Sequence, residues 1–199
     1  MSGWRAFLAV ELTPVVMEAL RPALESLSQV SAVRSSPPDG IHLTLHFLGS
    51  VDPSRLDELA GHAAPVAALV PPFEVEVRGV GAFPARRRPQ VFYAGFEQPQ
   101  GTPLHTLHGR MGSVIATLGL PVESRPFKPH LTLGRSRRPL RREEITVVEA
   151  WYRHWAETSF GPLEIGEVAL MRSQPGSGPP RYTRLHRLPL GKETAARRI

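Results

Sequence analysis

The chain has 199 residues, enough to bury a core in one compact domain, and it has no cysteine, which excludes disulfides, thiolate nucleophiles and thiolate zinc sites. Twenty-four Lys plus Arg against eighteen Asp plus Glu give a net charge of +6, most of it on arginine, whose fork matches phosphate oxygens, so an anionic partner is expected. The apolar run in MSGWRAFLAVEL is only about seven residues long and holds Arg5; it is too short for a signal core or a membrane span, so the expected location is the cytoplasm.

Trp4–Glu11 reads as a first strand. Thr13-Pro14 is an N-cap followed by proline at the first helical position, opening a helix through VVMEALRPALESL with Pro22 in its middle. Ile41–Leu48 is the next strand. Asp52-Pro53 then opens a second helix through SRLDELAGHAAPVAAL, weakened by Gly61 and Pro65. Phe73–Val80 has the clearest period of two, with aromatic and branched side chains alternating with charges, and Gln90–Phe96 follows it. Thr102-Pro103 opens a third helix through LHTLHGRMGSVIATLG. The remaining strands are His130–Gly134, a single run Leu163–Met171, and Tyr182–Leu188. Between them RREEITVVEAWYRHWAE is read as a fourth helix, against Ile145, Thr146, Val147 and Val148, which favour strand. Gln174–Pro180 is a loop by composition, and the tail GKETAARRI is expected to fray.

His-Leu-Thr-Leu occurs twice, as His42–Leu45 in IHLTLHFLG and His130–Leu133 in KPHLTLGR. Each copy closes a strand, Thr-Pro, helix, strand unit, and Thr44 and Thr132 lie 88 positions apart while Thr13 and Thr102 lie 89 apart. This near-constant register indicates an internal duplication. The expected fold is α+β and bilobal, with antiparallel-rich sheets bringing the two motif strands face to face across a central cleft and helices outside.

On a strand, His and Thr of each motif share one face while the leucines take the other. Two imidazoles that titrate near neutrality can divide the roles of general acid and base, and hydroxyls beside them can donate to an anion that a carboxylate would repel. The pattern points to phosphoester chemistry without a metal or cofactor. Arg125, Lys128 and Arg135 border the second motif as candidate sources of positive charge. Arg135 falls on the leucine parity, so it faces the cleft only if the strand ends or twists near Gly134.

His46 shares the parity of His42, but the two are roughly 13 Å apart on a regular strand, too far to hold one ion. His62, His105, His108, His154 and His186 have no ligand spacing, and His105 and His108 are expected on a helix surface. Among Phe47, Phe92, Tyr93, Phe127 and Tyr182, core packing is expected for most; Phe127 is the one read as a cleft wall able to stack on a base. The arginine clusters Arg86–Arg88 and Arg135–Arg142 fit either a nucleic-acid surface or a composition bias.

With RAFLAVEL, IHLTLHFLG, SRPFKPHLTLGR and RYTRLHRLPL assembled, the chain resembles the 2H phosphoesterase superfamily nearly end to end. Within it the likeness is to the bacterial and archaeal RNA 2′,3′-cyclic phosphodiesterases once called 2′-5′ RNA ligases. The resemblance implies a single domain over 1–199 made of two interwoven lobes, acting as a monomer without cofactor. It implies hydrolysis of RNA 2′,3′-cyclic phosphate ends to 2′-phosphates, with reverse 2′-5′ ligation of RNA such as tRNA halves. It implies His42 as proton donor to the leaving 3′ oxygen, His130 as proton acceptor, and Thr44 and Thr132 on the phosphate. Arg125, Phe127, Lys128 and Arg135 are the candidate substrate contacts. The competing readings are a module that binds RNA or nucleotide phosphates without turnover, and a phosphodiesterase for another small cyclic ester.

Overall fold

The computed structural model describes residues 3–97, 102–176 and 178–191; most of the tail expected to fray lies outside them. The strands are β1 (Trp4–Glu11), β2 (Val33–Ser35), β3 (His42–Val51), β4 (Phe73–Ala85), β5 (Arg88–Glu97), β6 (Leu131–Ser136), β7 (Ser159–Ile165), β8 (Glu167–Gln174) and β9 (Arg181–Pro189). The helices are α1 (Pro14–Ser28), α2 (Pro53–Ala67), α3 (Pro103–Thr117) and α4 (Arg142–Trp155). The three Xaa-Pro helix starts fall where the sequence puts them. Thr13 Oγ1 accepts from the Val16 amide at 3.5 Å and Asp52 Oδ1 from the Ser54 amide at 2.9 Å.

Pro22 does not break α1, because Val16, Leu20, Ala23, Leu24 and Leu27 form one buried stripe whose packing outweighs the lost hydrogen bond. The same logic settles α4. Glu144, Val148, Trp151 and Tyr152 recur at helical spacing and are buried, while the branched Ile145 and Val147 stay exposed, so tertiary burial overrides strand propensity. The run expected as one strand, Leu163–Met171, is two. It breaks at Gly166, and β7 joins β4 while β8 joins β1, far apart in the same sheet. β2 is an addition that three residues without periodicity do not announce; it pairs with β6.

Every pairing is antiparallel, in the order β7-β4-β5-β6-β3-β1-β8-β9. The order is palindromic about the β3·β6 junction: two four-stranded halves meet along the two motif strands. The connectivity crosses between them. β4, which follows the first motif, pairs with β5 of the second half, and β8, which follows the second motif, pairs with β1 of the first. The helices cross likewise: α1 packs on β6, β7 and α4, while α3 packs on β3 and α2. The Trp151 indole N–H donates to the Ala23 carbonyl at 3.0 Å and pins α4 to α1.

The main core lies between this helical layer and the sheet face that carries Leu43 and Leu131. Phe7, Ala9, Ala169 and Met171 form a second, small cluster, with Tyr182 against it. It belongs to the opposite face, which no helix covers, and there the motif histidines and threonines are found.

Candidate active site

β3 and β6 touch through a single register pair, Leu43 opposite Leu131. In antiparallel register the residues on either side of that pair also oppose each other, so His42 stands across from Thr132 and Thr44 across from His130. All four are half-buried and face away from the core that holds the leucines. The two histidines are diagonal neighbours, a relation that places residues about 7–8 Å apart in ideal pairing, with their Cβ atoms somewhat closer.

Each imidazole is oriented from behind by a carbonyl two residues earlier in the chain. His130 Nδ1 lies 2.7 Å from the Lys128 carbonyl; a carbonyl only accepts, so Nδ1 carries the proton and Nε2 keeps its lone pair toward the open face. His42 hydrogen-bonds the Gly40 carbonyl. Each ring is also walled by two aromatics. Phe7 stacks on His42 at 4.7 Å and Tyr182 meets it edge-on at 5.0 Å. Phe83 and Tyr93 meet His130 edge-on at 5.0 and 5.7 Å. These walls remove water, and burial pushes His42 down to about 4, with the Gly40 carbonyl opposing and the neighbouring His130 adding to the depression. His130 is lowered as well, first by burial, against its carbonyl bond, and then by the positive charge of Arg135.

A bulge follows each motif at the same place. β1 pairs Ala9 with Thr44 but Leu8 with His46, skipping Leu45; β5 pairs Tyr93 with Thr132 but Phe92 with Gly134, skipping Leu133. The extra residue reverses the side-chain alternation beyond it. Arg135 is therefore delivered to the open face beside Thr132; the register shift at Gly134 meets the condition on which its facing the cleft depended. It makes no ion pair among the described residues, and its charge is felt by both His130 and Tyr182. An added Cβ on Gly134 would sit 3.0 Å from Val33 Cγ1 and 3.1 Å from the Arg34 carbonyl, so β2 closes tightly on β6 at this glycine.

The first bulge corrects the reading of His46. Its side chain does not share the face of His42; it turns into the core, 2% exposed, and packs on α3. His105 and His108 are corrected too, since both are half-buried against Phe127 rather than free on the helix surface. Phe127 and Lys128 line a cavity of about 450 Å³ with Phe83, Tyr93, Phe96 and His105, next to His130. Arg125 is held elsewhere, doubly bonded to Glu123 on an exposed loop. Tyr93 and Tyr182 are site walls, Phe92 is core, and Phe47 is exposed. Phe7 and Phe83 were missed. Phe7 carries only the alternation of RAFLAV as a signal, and Phe83 lies past the point where the period of two fades. Part of the arginine clusters serves the fold: Arg86 bonds the Val80 carbonyl and covers the Tyr152 ring, and Arg138 grips Glu144. Among the described residues, no three His, Cys, Asp or Glu converge as a metal site would require.

Comparison with known proteins gives one consistent result. The family model of the 2′-5′ RNA ligase superfamily matches residues 11–176. The RNA 2′,3′-cyclic phosphodiesterase of Archaeoglobus fulgidus is 32% identical over 85% of this chain and 90% of its own length. That of Thermus thermophilus is 31% identical over 95% of this chain and 91% of its own. Among solved structures, TT0787 of Thermus thermophilus superposes with a TM-score of 0.79 at 30% identity, covering 95% of this chain and 99% of that one. E. coli LigT complexed with 3′-AMP superposes with a TM-score of 0.72 at 26% identity, covering 94% and 98%.

Proposed function

This chain belongs to the 2′-5′ RNA ligase superfamily, and from that membership we propose that it is a cyclic phosphodiester hydrolase acting on RNA 2′,3′-cyclic phosphate ends. The observation that carries the proposal is the crossed arrangement set by Leu43 and Leu131, with His42 beside Thr132 and Thr44 beside His130 on one open face.

In the proposed step, a water oxygen bonds to phosphorus as its proton passes to His130 Nε2. The bond from phosphorus to the 3′ oxygen breaks, and that oxygen takes a proton from His42, leaving a 2′-phosphate and a free 3′-hydroxyl. Support for His130 as the base comes from its Nδ1 bond to the Lys128 carbonyl, which leaves the other nitrogen unprotonated. Burial disfavours a charged His42 before substrate arrives; the phosphate anion between the rings supplies the attraction that favours its imidazolium. The Thr44 and Thr132 hydroxyls donate to the non-bridging oxygens, and Arg135 adds positive charge at the edge. With a 5′-hydroxyl in place of water the same transfers give a 2′-5′ linkage, the proposed ligation of RNA such as tRNA halves.

The test is turnover of an oligoribonucleotide ending in a 2′,3′-cyclic phosphate, followed by identification of the product end. Catalytic release of 2′-phosphate ends, unchanged by excess chelator, is expected. Stoichiometric binding without turnover would make the protein a phosphate-binding module instead.

A further inference from the structure

The buried histidine turned inward by the first bulge begins a column of three rings. His46 stacks on His108 of α3 with centroids 4.0 Å apart and planes 18° apart. His108 in turn stacks on Phe127, also at 4.0 Å and with planes 14° apart. His105 closes the side of the column, edge-on to Phe127 at 5.8 Å, its Nδ1 bonded to Thr102 Oγ1 at 2.9 Å. His46 Nε2 lies 2.8 Å from the His108 carbonyl and so donates to it. α3 has glycine at 112 against the column, where a Cβ would stand in tight contact, 3.1 Å from His46 Cε1.

What the column connects gives it a use. His46 belongs to β3, the strand of His42 and Thr44. Phe127 belongs to the segment 121–130, which has no regular secondary structure and is exposed except at Phe127, Pro129 and His130. A segment without ladder hydrogen bonds is held by its side-chain anchors, and Phe127 is packed on the main core. The next residue, Lys128, supplies the carbonyl that orients His130. A displacement of Phe127 therefore moves the acceptor that sets the tautomer and direction of the His130 ring.

We infer that His108 and Phe127 are positioning residues: the His46–His108–Phe127 column ties the strand of the first motif to the loop of the second and holds His130 in register with His42. The inference rests on the reading of His130 as the catalytic base. Burial favours the neutral rings that such close stacking needs, with His108 pushed down to about 4 by desolvation and by His46 and His105 nearby. His46 is lowered by burial as well.

The experiment uses the full chain. His108→Phe keeps a ring between His46 and Phe127, whereas His108→Leu keeps bulk without the stack. Phe127→Leu makes the same change from the other end of the column. Steady-state kinetics on the cyclic-ended oligonucleotide is measured beside the nitrogen-15 shifts of His130, which report its tautomer. His108→Phe is expected to stay within about threefold of the parent, and both leucine variants to lose on the order of tenfold or more in kcat with KM little changed. In the leucine variants His130 is expected to lose its preference for the Nδ1–H form. Leucine variants that keep the parent kcat and His130 signals, even if they melt earlier, would overturn the proposal, as would a His108→Phe variant as impaired as His108→Leu. Should the oligonucleotide not be turned over at all, the proposed function fails in the kinetics, while the His130 tautomer still decides whether the column positions that ring.

Discussion

Leu43 pairs with Leu131, its own counterpart 88 residues later, at the junction of the two half-sheets. When equivalent residues of a duplicated unit pair with each other, the local two-fold axis runs between them. The flanking residues of the two motifs then meet in reverse order, His42 across from Thr132 and Thr44 across from His130. The site is built by this single pairing.

Replacing either His42 or His130 by alanine is expected to lower kcat by on the order of 10²–10⁴ while leaving the fold intact. If the two act on one phosphate, as proposed, the double variant should be little worse than the worse single one. Independent, multiplying losses would argue that the histidines do not serve a common step.

Thr132→Val preserves shape and removes one hydroxyl. If that hydroxyl donates to a phosphoryl oxygen, kcat falls on the order of 10²-fold, and Thr44→Val should behave alike because the axis makes the two positions equivalent. A parent-like rate in either variant would remove that threonine from the phosphate.

The free protein holds both imidazoles below the ordinary 6.5, His42 at about 4 through burial and His130 through burial and Arg135. In the proposed mechanism the productive free enzyme carries one proton on the pair, and a lowered pKa means that this form is lost as pH rises. The kcat/KM profile is therefore expected to peak below pH 6.5 and then to fall toward alkaline pH. The kcat profile should peak at higher pH, since the bound anion favours the imidazolium. A kcat/KM that climbs from about pH 6 to about pH 8 would contradict this assignment.

Arg135→Gln should raise KM and weaken its dependence on salt, having removed a cation beside the phosphate. Because the Arg135 charge depresses His130, the same variant should move the alkaline limb of kcat/KM to higher pH. A change in KM with no movement of that limb would place the guanidinium away from His130.

Glu144 joins the start of α4 to the turn before β2. Its carboxylate takes both Arg138 nitrogens at 2.7 Å, Ser31 Oγ at 2.7 Å, and the Arg141 amide at 2.8 Å. These partners, Arg138 first, hold its carboxyl well below the usual 4.5. A depressed folded pKa gives stability that is complete above the unfolded value and lost as pH falls through the folded one. Glu144→Gln is expected to melt a few degrees lower near neutral pH. The gap should narrow below pH 4.5; a gap that widens in acid would overturn the reading.

Much of this was legible in the linear chain. Proline after Thr13, Asp52 and Thr102 fixed three helix starts because a proline nitrogen needs no partner there, and alternation put His42 with Thr44 and His130 with Thr132. The repeat announced that the motifs were equivalent. What the chain could not announce depended on its neighbours. A bulge is a property of two strands in register, so the inward turn of His46 and the outward turn of Arg135 appear only once β1 and β5 lie alongside. The split of Leu163–Met171 at Gly166 depends on β4 and β1 claiming its two ends. The carbonyls of Gly40 and Lys128 have no sequence signature at all, since every residue has one. Local chemistry determined which side chains could react; long-range pairing decided which of them face each other.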